Sequence, residues 1–267
     1  MNNILSFQKN LVYRRWVSSK PRYILLAIHG IGAHSERWRF LGEYLLKHNI
    51  STYALELRGC GDNRLPCPVY SFRQYRQDIT ACLRLLHKNH SKTRIILVGE
   101  SMGGLIAFDY AIRHSGCDGL ICISPAFQSL LKFRWPEYML FPLLFIFPRL
   151  KLRLHFSADG CTQDKKVRKQ LKNDPREIRA ASGGLLLAIL FSQCGCARLA
   201  ARLKIPVLFQ LAGQDSLVAT PKSRQIFQRL RTPKKMLIYP QARHALSIEK
   251  NRGQVFNDLR VWLEKLK

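Results

Sequence analysis

A serine hydroxyl becomes a useful nucleophile only when a neighbouring base takes its proton. Residues 95 to 104, IILVGESMGG, hold Ser101 between Gly99 and Gly103. That G-x-S-x-G pattern alone fits either a nucleophile on a strained turn or a serine in an ordinary loop. The flanks separate the two readings. Arg94 to Val98 is a short buried run that reads as a strand, and 102 to 115 reads as a helix. A strand running into the turn, a helix leaving it, and Gly99, Gly103 and Gly104 where backbones must pass closely are the surroundings of a strained nucleophile.

The base should be a histidine on a loop beside a sheet edge. His48, His87, His90 and His114 lie near the ends of amphipathic helical stretches, His155 lies in an insertion, and His29 and His34 flank a glycine loop. His244, in LIYPQARHALSIEK, follows a late strand and precedes the final helix. A carboxylate must then hold the base in one tautomer. Asp215, in IPVLFQLAGQDSLV, follows a buried strand directly. The candidate catalytic set is therefore Ser101, Asp215 and His244. A tetrahedral oxyanion also needs two backbone donors, and losing one costs about 10²–10³ in rate. Met102 N–H opens a helix, where the dipole favours negative charge. Ile31 N–H, in the loop His29-Gly30-Ile31-Gly32, is the second candidate.

These residues need a scaffold that gathers strand ends. Residues 11 to 17 (LVYRRWV) and 22 to 28 (RYILLAI) are β-rich, and the turn chemistry of Ser18-Ser19-Lys20-Pro21 predicts a hairpin between them. The second run is apolar at nearly every position, as in a strand covered on both faces. Helical spacing follows at about 35 to 48, a strand at 51 to 57 and a helix at 71 to 90. Strands are also predicted at 118 to 124, 205 to 211 and 235 to 239, with a closing helix at 252 to 266. This alternation predicts an α/β fold, a mostly parallel central sheet flanked by helices. Residues 126 to 203 break the rhythm with helical patterns and no convincing strand. The expected division is a core (1–125 and 204–267) and an inserted helical cap (126–203) over the C-terminal edge of the sheet, where ligands bind in such folds.

Composition narrows the class further. A chain of 267 residues, 47% hydrophobic, can bury one large core. Forty-four Lys and Arg against 17 Asp and Glu give a formal charge of +27, which attracts polyanions. The basic residues are spread along the chain with no homeodomain, zinc-finger or RNA-recognition signature, so no specific nucleic-acid partner is expected. The eight cysteines form no zinc-like pattern, Cys194-Gly195-Cys196 reads as small residues near a helix end, and no metal site is expected. Scattered cysteines and an N-terminus without secretory-signal features predict a reducing, cytoplasmic setting.

HGIGAHSERW, ELRGCGDN, GESMGG, AGQDSLV and ARHALSIE together resemble, in order and spacing, the α/β-hydrolases of the monoacylglycerol lipase/lysophospholipase type (serine aminopeptidase S33-like). The resemblance runs from about residue 11 to the C-terminus and is weakest in the insertion. The order Ser101, Asp215, His244 is that of α/β-hydrolases. The resemblance implies a serine carboxylic-ester hydrolase that works through an acyl-enzyme intermediate, with no cofactor. Two positions depart from the family pattern. Glu56 opens ELRGCG where the family usually has Asp. Ala33 follows H-G-I-G where members that bind a glycerol head group usually carry Glu, while Arg37 remains.

Residues 138 to 147, YMLFPLLFIF, are the most hydrophobic stretch, too short to span a membrane and interrupted by Pro142. Lys132 and Arg134 precede it, and Arg149, Lys151 and Arg153 follow it. It reads as a cap helix, or as a lid whose basic flanks meet anionic head groups. The expected substrate is a single-chain lipid ester, a lysophospholipid or monoacylglycerol, held by Gly30, Ala33, Arg37, Tyr138, Phe141 and Leu144. Short-chain carboxylesterase, thioesterase and acyltransferase chemistry fit the same residues. A non-catalytic membrane- or polyanion-binding module is the alternative from another class.

Overall fold

The structure is a computed structural model that describes residues 6–8, 11–63, 71–131, 135, 139, 141–155 and 157–266. The first half of the chain runs β1 (Ser6–Gln8), β2 (Leu11–Trp16), β3 (Tyr23–Ile28), α1 (Arg39–Leu46), β4 (Ile50–Leu55), α2 (Phe72–Asn89), β5 (Arg94–Glu100), α3 (Met102–Ala111) and β6 (Gly119–Ile123). An insertion follows with α4 (Leu143–Ile146), β7 (Lys151–Arg153), α5 (Ala158–Cys161), α6 (Lys165–Asn173), β8 (Ala180–Ser182) and α7 (Gly183–Leu199). The chain then returns through β9 (Val207–Ala212), α8 (Thr220–Gln228), β10 (Lys234–Tyr239) and α9 (Arg252–Glu264).

The main sheet has the order β1-β2-β4-β3-β5-β6-β9-β10, antiparallel at its first two pairings and parallel from β4 onward. The unbroken apolar run of β3 is explained by the two cores it separates. Ile24, Leu26 and Ile28 join a cluster with α2, α3 and α8, while Leu25 and Ala27 join one with α1 and α9. Successive side chains of a strand alternate faces, so a strand buried on both sides must be apolar throughout. Each fully buried Leu or Ile contributes about 1.5–3 kcal/mol of transfer free energy. The α/β architecture expected from the sequence is the one observed.

Three local expectations change. The hairpin between 11–17 and 22–28 does not form, because β4 lies between β2 and β3. β2 pairs antiparallel with β4, from Tyr13 opposite Leu55 to Trp16 opposite Thr52. The linker crosses the start of β4, where Ser18 N donates to Ser51 Oγ at 3.0 Å and Arg22 N to Asn49 O at 2.8 Å. The insertion, expected to lack strands, contains the short antiparallel pair β7–β8, Leu152 opposite Ala181. Three residues are too few for alternation to show. Helix α8, which begins with Pro221 in its first turn, was not among the expected elements.

The C-terminal strand ends are bound together by a buried carboxylate. Glu56 follows β4 and accepts hydrogen bonds from Ser35 N at 3.0 Å and Ser35 Oγ at 2.7 Å, while His29 Nε2 lies 3.2 Å away. It therefore clamps the loop after β3 to the loop after β4. Gly61, at φ 50°, is required beside it, since a Cβ there would come within 2.6 Å of the carboxylate. Burial opposes ionisation, but the His29 and Ser35 contacts outweigh it and hold Glu56 down at about 2 against an ordinary 4.5. The folded state therefore binds this proton more weakly than the unfolded chain. Its stabilisation is complete above about pH 4.5 and is lost as pH falls towards 2. Glu56→Gln should lower stability at pH 7 by on the order of 3 kcal/mol and flatten the acid limb of the stability curve. Urea unfolding at a series of pH values measures both.

Candidate active site

Ser101 joins β5 to α3 at φ 59° and ψ −123°, a conformation that a non-glycine residue rarely adopts. The surrounding backbone holds it there. Ser101 N donates to Ile123 O at 3.0 Å, and Ser101 O accepts from Ala126 N at 3.0 Å and Leu105 N at 3.1 Å. The flanking glycines are obligatory. A Cβ on Gly99 would lie 2.2 Å from Gly103 O, and one on Gly103 would lie 2.1 Å from Ile28 O. The loop after β3 closes on the same point, because the Cβ position of Gly30 is 3.1 Å from Ser101 Cβ.

His244 lies on the loop between β10 and α9, and its Nδ1 is 2.8 Å from Asp215 Oδ2. Asp215, on the loop after β9, is oriented by Leu217 N and Val218 N, which both donate to Oδ1 at 2.9 Å. With Nδ1–H directed at the carboxylate, Nε2 keeps its lone pair for a proton. Burial opposes the imidazolium, but the charge and hydrogen bond of Asp215, helped by Glu100, more than offset it, and the pKa of His244 lies above 6.5. Glu100, which precedes Ser101, accepts from Ser247 N at 2.9 Å and Ser247 Oγ at 2.7 Å. That contact ties the Ser101 turn to the segment just after His244. Burial pushes the carboxyl of Glu100 up, although Ser247, His244 and Arg37 all pull the other way.

Ser101, His244, Ile31, Met102, Gly30, Ala33, Arg37 and Phe141 line one cavity of about 200 Å³. Asp215 stands behind His244 with its side chain 1% exposed. Ile31 belongs to the loop against Ser101, and Met102 is the first residue of α3, whose N–H has no partner within the helix. Arg37 is engaged by the insertion: its Nε and Nη2 donate to the two oxygens of Glu177 at 2.9 and 2.8 Å. Its guanidinium is thus held as one half of a buried ion pair between core and insertion. Leu144, expected to hold substrate, does not line the cavity. It is fully buried against Gly183, where a Cβ would come within 2.8 Å of its side chain. Tyr138 lies outside the described residues.

Sequence reasoning missed most of the apolar wall. Leu186, Ile189, Leu190 and Gln193 of α7 face the cavity, with Leu131, Leu154, Leu217, Val218 and Glu100. The run GGLLLAILF was the available signal. Gly183–Arg202 is long and apolar enough to cross a membrane by length and composition alone. In the structure this helix packs on α3, and its Leu186–Gln193 side forms one wall of the cavity.

A family model described as serine aminopeptidase, S33, a hydrolase family, matches residues 19–251. The chain belongs to this family. It is 25% identical over 267 residues to the uncharacterized protein YnbC of Escherichia coli, covering 96% of this chain and 45% of that one. The chain thus spans under half the length of that relative. It is 23% identical to a monoacylglycerol lipase of Mycolicibacterium smegmatis, over 95% of this chain and 92% of the relative. Its fold is similar to that of a soluble variant of monoglyceride lipase from Saccharomyces cerevisiae solved with a substrate analog. The TM-score is 0.86 at 21% identity, with 100% of this chain and 96% of that chain covered. The fold of this chain is that of the α/β-hydrolases.

The hydrogen bond between Asp215 and His244 carries a direct expectation. The imidazole should titrate above 6.5 in the folded protein, and Asp215→Asn should bring its midpoint down. NMR of the histidine ring against pH reads both values.

Proposed function

We propose that this protein is a serine carboxylic-ester hydrolase acting on single-chain lipid esters, a lysophospholipid or a monoacylglycerol. The observation that carries this reading is the strained Ser101 facing the same apolar cavity as His244, with Asp215 bonded 2.8 Å behind the imidazole. Ser101 Oγ attacks the ester carbonyl as His244 Nε2 takes its proton, and Asp215 stabilises the imidazolium. The oxyanion is received by the amides of Ile31 and Met102. His244 returns the proton to the leaving alcohol, leaving an acyl-Ser101 ester. Water, deprotonated by His244, then releases the acid. In this reading residues 126–203 are the cap and 1–125 with 204–267 the core.

The acyl chain meets Phe141, Leu154, Leu186, Ile189 and Leu217, an apolar lining that suits a hydrocarbon better than a charged group. Outside the cavity the cap exposes Phe145, Ile146, Phe147 and Phe191, with Arg149, Lys151 and Arg153 also at the surface. Apolar side chains beside exposed cations support contact with an anionic membrane surface, from which a lipid substrate could enter. Cys82, Cys117, Cys122, Cys161, Cys194 and Cys196 are free thiols, which supports residence in a reducing compartment such as the cytoplasm.

A second reading has its own observation. The cavity, about 200 Å³, is smaller than the roughly 300–1,000 Å³ of most small-molecule sites, which favours a short-chain carboxylesterase unless the cap moves. Hydrolysis rates on p-nitrophenyl esters of rising chain length separate the two. The lipid reading expects decanoate to be preferred over acetate, and preference for acetate would reject it. Asp215→Asn should lower kcat by about 10³–10⁴ on any accepted ester. Phe145→Ser with Ile146→Ser should reduce co-sedimentation with anionic vesicles, while turnover of a soluble ester is kept.

A further inference from the structure

A second cleft, larger than the ester cavity, lies where the chain segments after α3 and α7 meet the flank of α2. Its volume is about 790 Å³, and its walls carry Arg73, Arg76, Arg84, Arg113, His114 and Arg202. None of the residues lining it is acidic. The contrast with a smaller cavity beside the cap is direct, because there Arg37, Arg39 and Arg176 face Glu36 and Asp174.

The charges in the cleft are of two kinds. Asp109, 1% exposed at the base of α3, fixes two of them: Arg76 Nη1 lies 2.5 Å from Oδ2 and Arg113 Nε 2.8 Å from Oδ1. Arg113 also reaches α7, where a Cβ on Gly195 would lie 2.9 Å from Nη2. Arg73, Arg84 and Arg202 have no carboxylate partner among the described residues. One buried carboxylate thus orders two guanidinium groups and leaves the local charge strongly positive. His114, stacked on Tyr110 at 4.8 Å, senses the balance: burial, then Arg76 and Arg113 against Asp109, lower its pKa. Arginine rather than lysine at all five cationic positions matters, because the planar fork donates two parallel hydrogen bonds to a phosphate. Gln77 adds a neutral donor on the same wall.

We propose that this cleft is a binding site for a small anion bearing two or more clustered phosphate groups, separate from the ester cavity. Arg76 and Arg113 are held ready by Asp109, and Arg73, Arg84 and Arg202 close on the outer phosphates. The inference does not depend on the ester-hydrolase reading, because it uses no residue of that cavity. The phosphates could belong to a free polyphosphate or to the head group of a phosphoinositide.

The experiment is isothermal titration of the full chain with inorganic tripolyphosphate, beside flotation with phosphatidylcholine vesicles containing a bisphosphorylated phosphoinositide. Arg84→Gln with Arg202→Gln is compared with Lys165→Gln with Lys169→Gln, which removes the same charge from the exposed face of α6. Circular dichroism confirms that both variants fold. Saturable 1:1 binding of tripolyphosphate, weakened at least about tenfold by the arginine pair and less than about twofold by the lysine pair, is expected for a free anion. The same selective loss on vesicles, without tripolyphosphate binding, assigns the phosphates to a lipid head group. Equal weakening by the two variants, or no saturable binding in either arm, would overturn the site.

Discussion

The positive φ of Ser101 is the constraint on which the rest of the structure depends. A non-glycine residue in that region carries strain of about 1–3 kcal/mol and persists only where its surroundings over-determine it. Here three backbone hydrogen bonds, from β6, from α3 and from the segment after β6, fix the turn. Those bonds require β5 and β6 in parallel register with their C-terminal ends level, Gly99 opposite Cys122 and Glu100 opposite Ile123. That register in turn rests on two apolar cores that grip the sheet from both faces. The missing side chains at Gly30, Gly99 and Gly103 are the other half of the device, since a Cβ at either of the last two would collide with backbone.

Around this turn the few acidic residues act mostly as fasteners. Glu56 joins the loops after β3 and β4, and Glu100 joins the turn to the His244 loop. Glu249 accepts from Thr162 Oγ1, Gln163 N and Arg243 N, and so binds the insertion to the same loop. Glu177 does the corresponding work for Arg37. A chain with 17 acidic residues against 44 basic ones therefore keeps several carboxylates inside, where each satisfies donors that burial would otherwise leave unpaired. The excess positive charge is left for the surface and for the arginine cleft behind α3.

Much of the site was legible in the sequence because chemistry and geometry coincide there. The glycines around Ser101 mark a turn that tolerates no side chains, and Asp215 follows the buried strand β9 while His244 follows its parallel neighbour β10, so the topology brings them to one edge. The misread places share a different cause. Turn residues at 18–21 signal a reversal of direction but not the neighbour that strand β2 then takes, which is set by long-range pairing with β4. Strands of three residues in the insertion are shorter than the alternation that would reveal them. Leu144 and Leu186 are both leucines in apolar runs, and only the rotation of α4 and α7 decides that the first packs on Gly183 and the second lines the cavity. The partner of Arg37 is 140 residues away in sequence, beyond any local pattern.

The molecule thus divides into a sheet that holds the strained Ser101 turn and an insertion that packs over it. The core brings Ser101, His244, Ile31 and Met102 to one cavity, and the insertion supplies much of its apolar wall. The central claim is that Ser101 is the nucleophile. Its most direct test is treatment of the folded protein with a fluorophosphonate, followed by peptide mass spectrometry. A stoichiometric phosphonyl adduct on the peptide containing Ser101, absent from Ser101→Ala, is the expected result. An unmodified wild-type protein, or an adduct that survives the Ser101→Ala change, would contradict it.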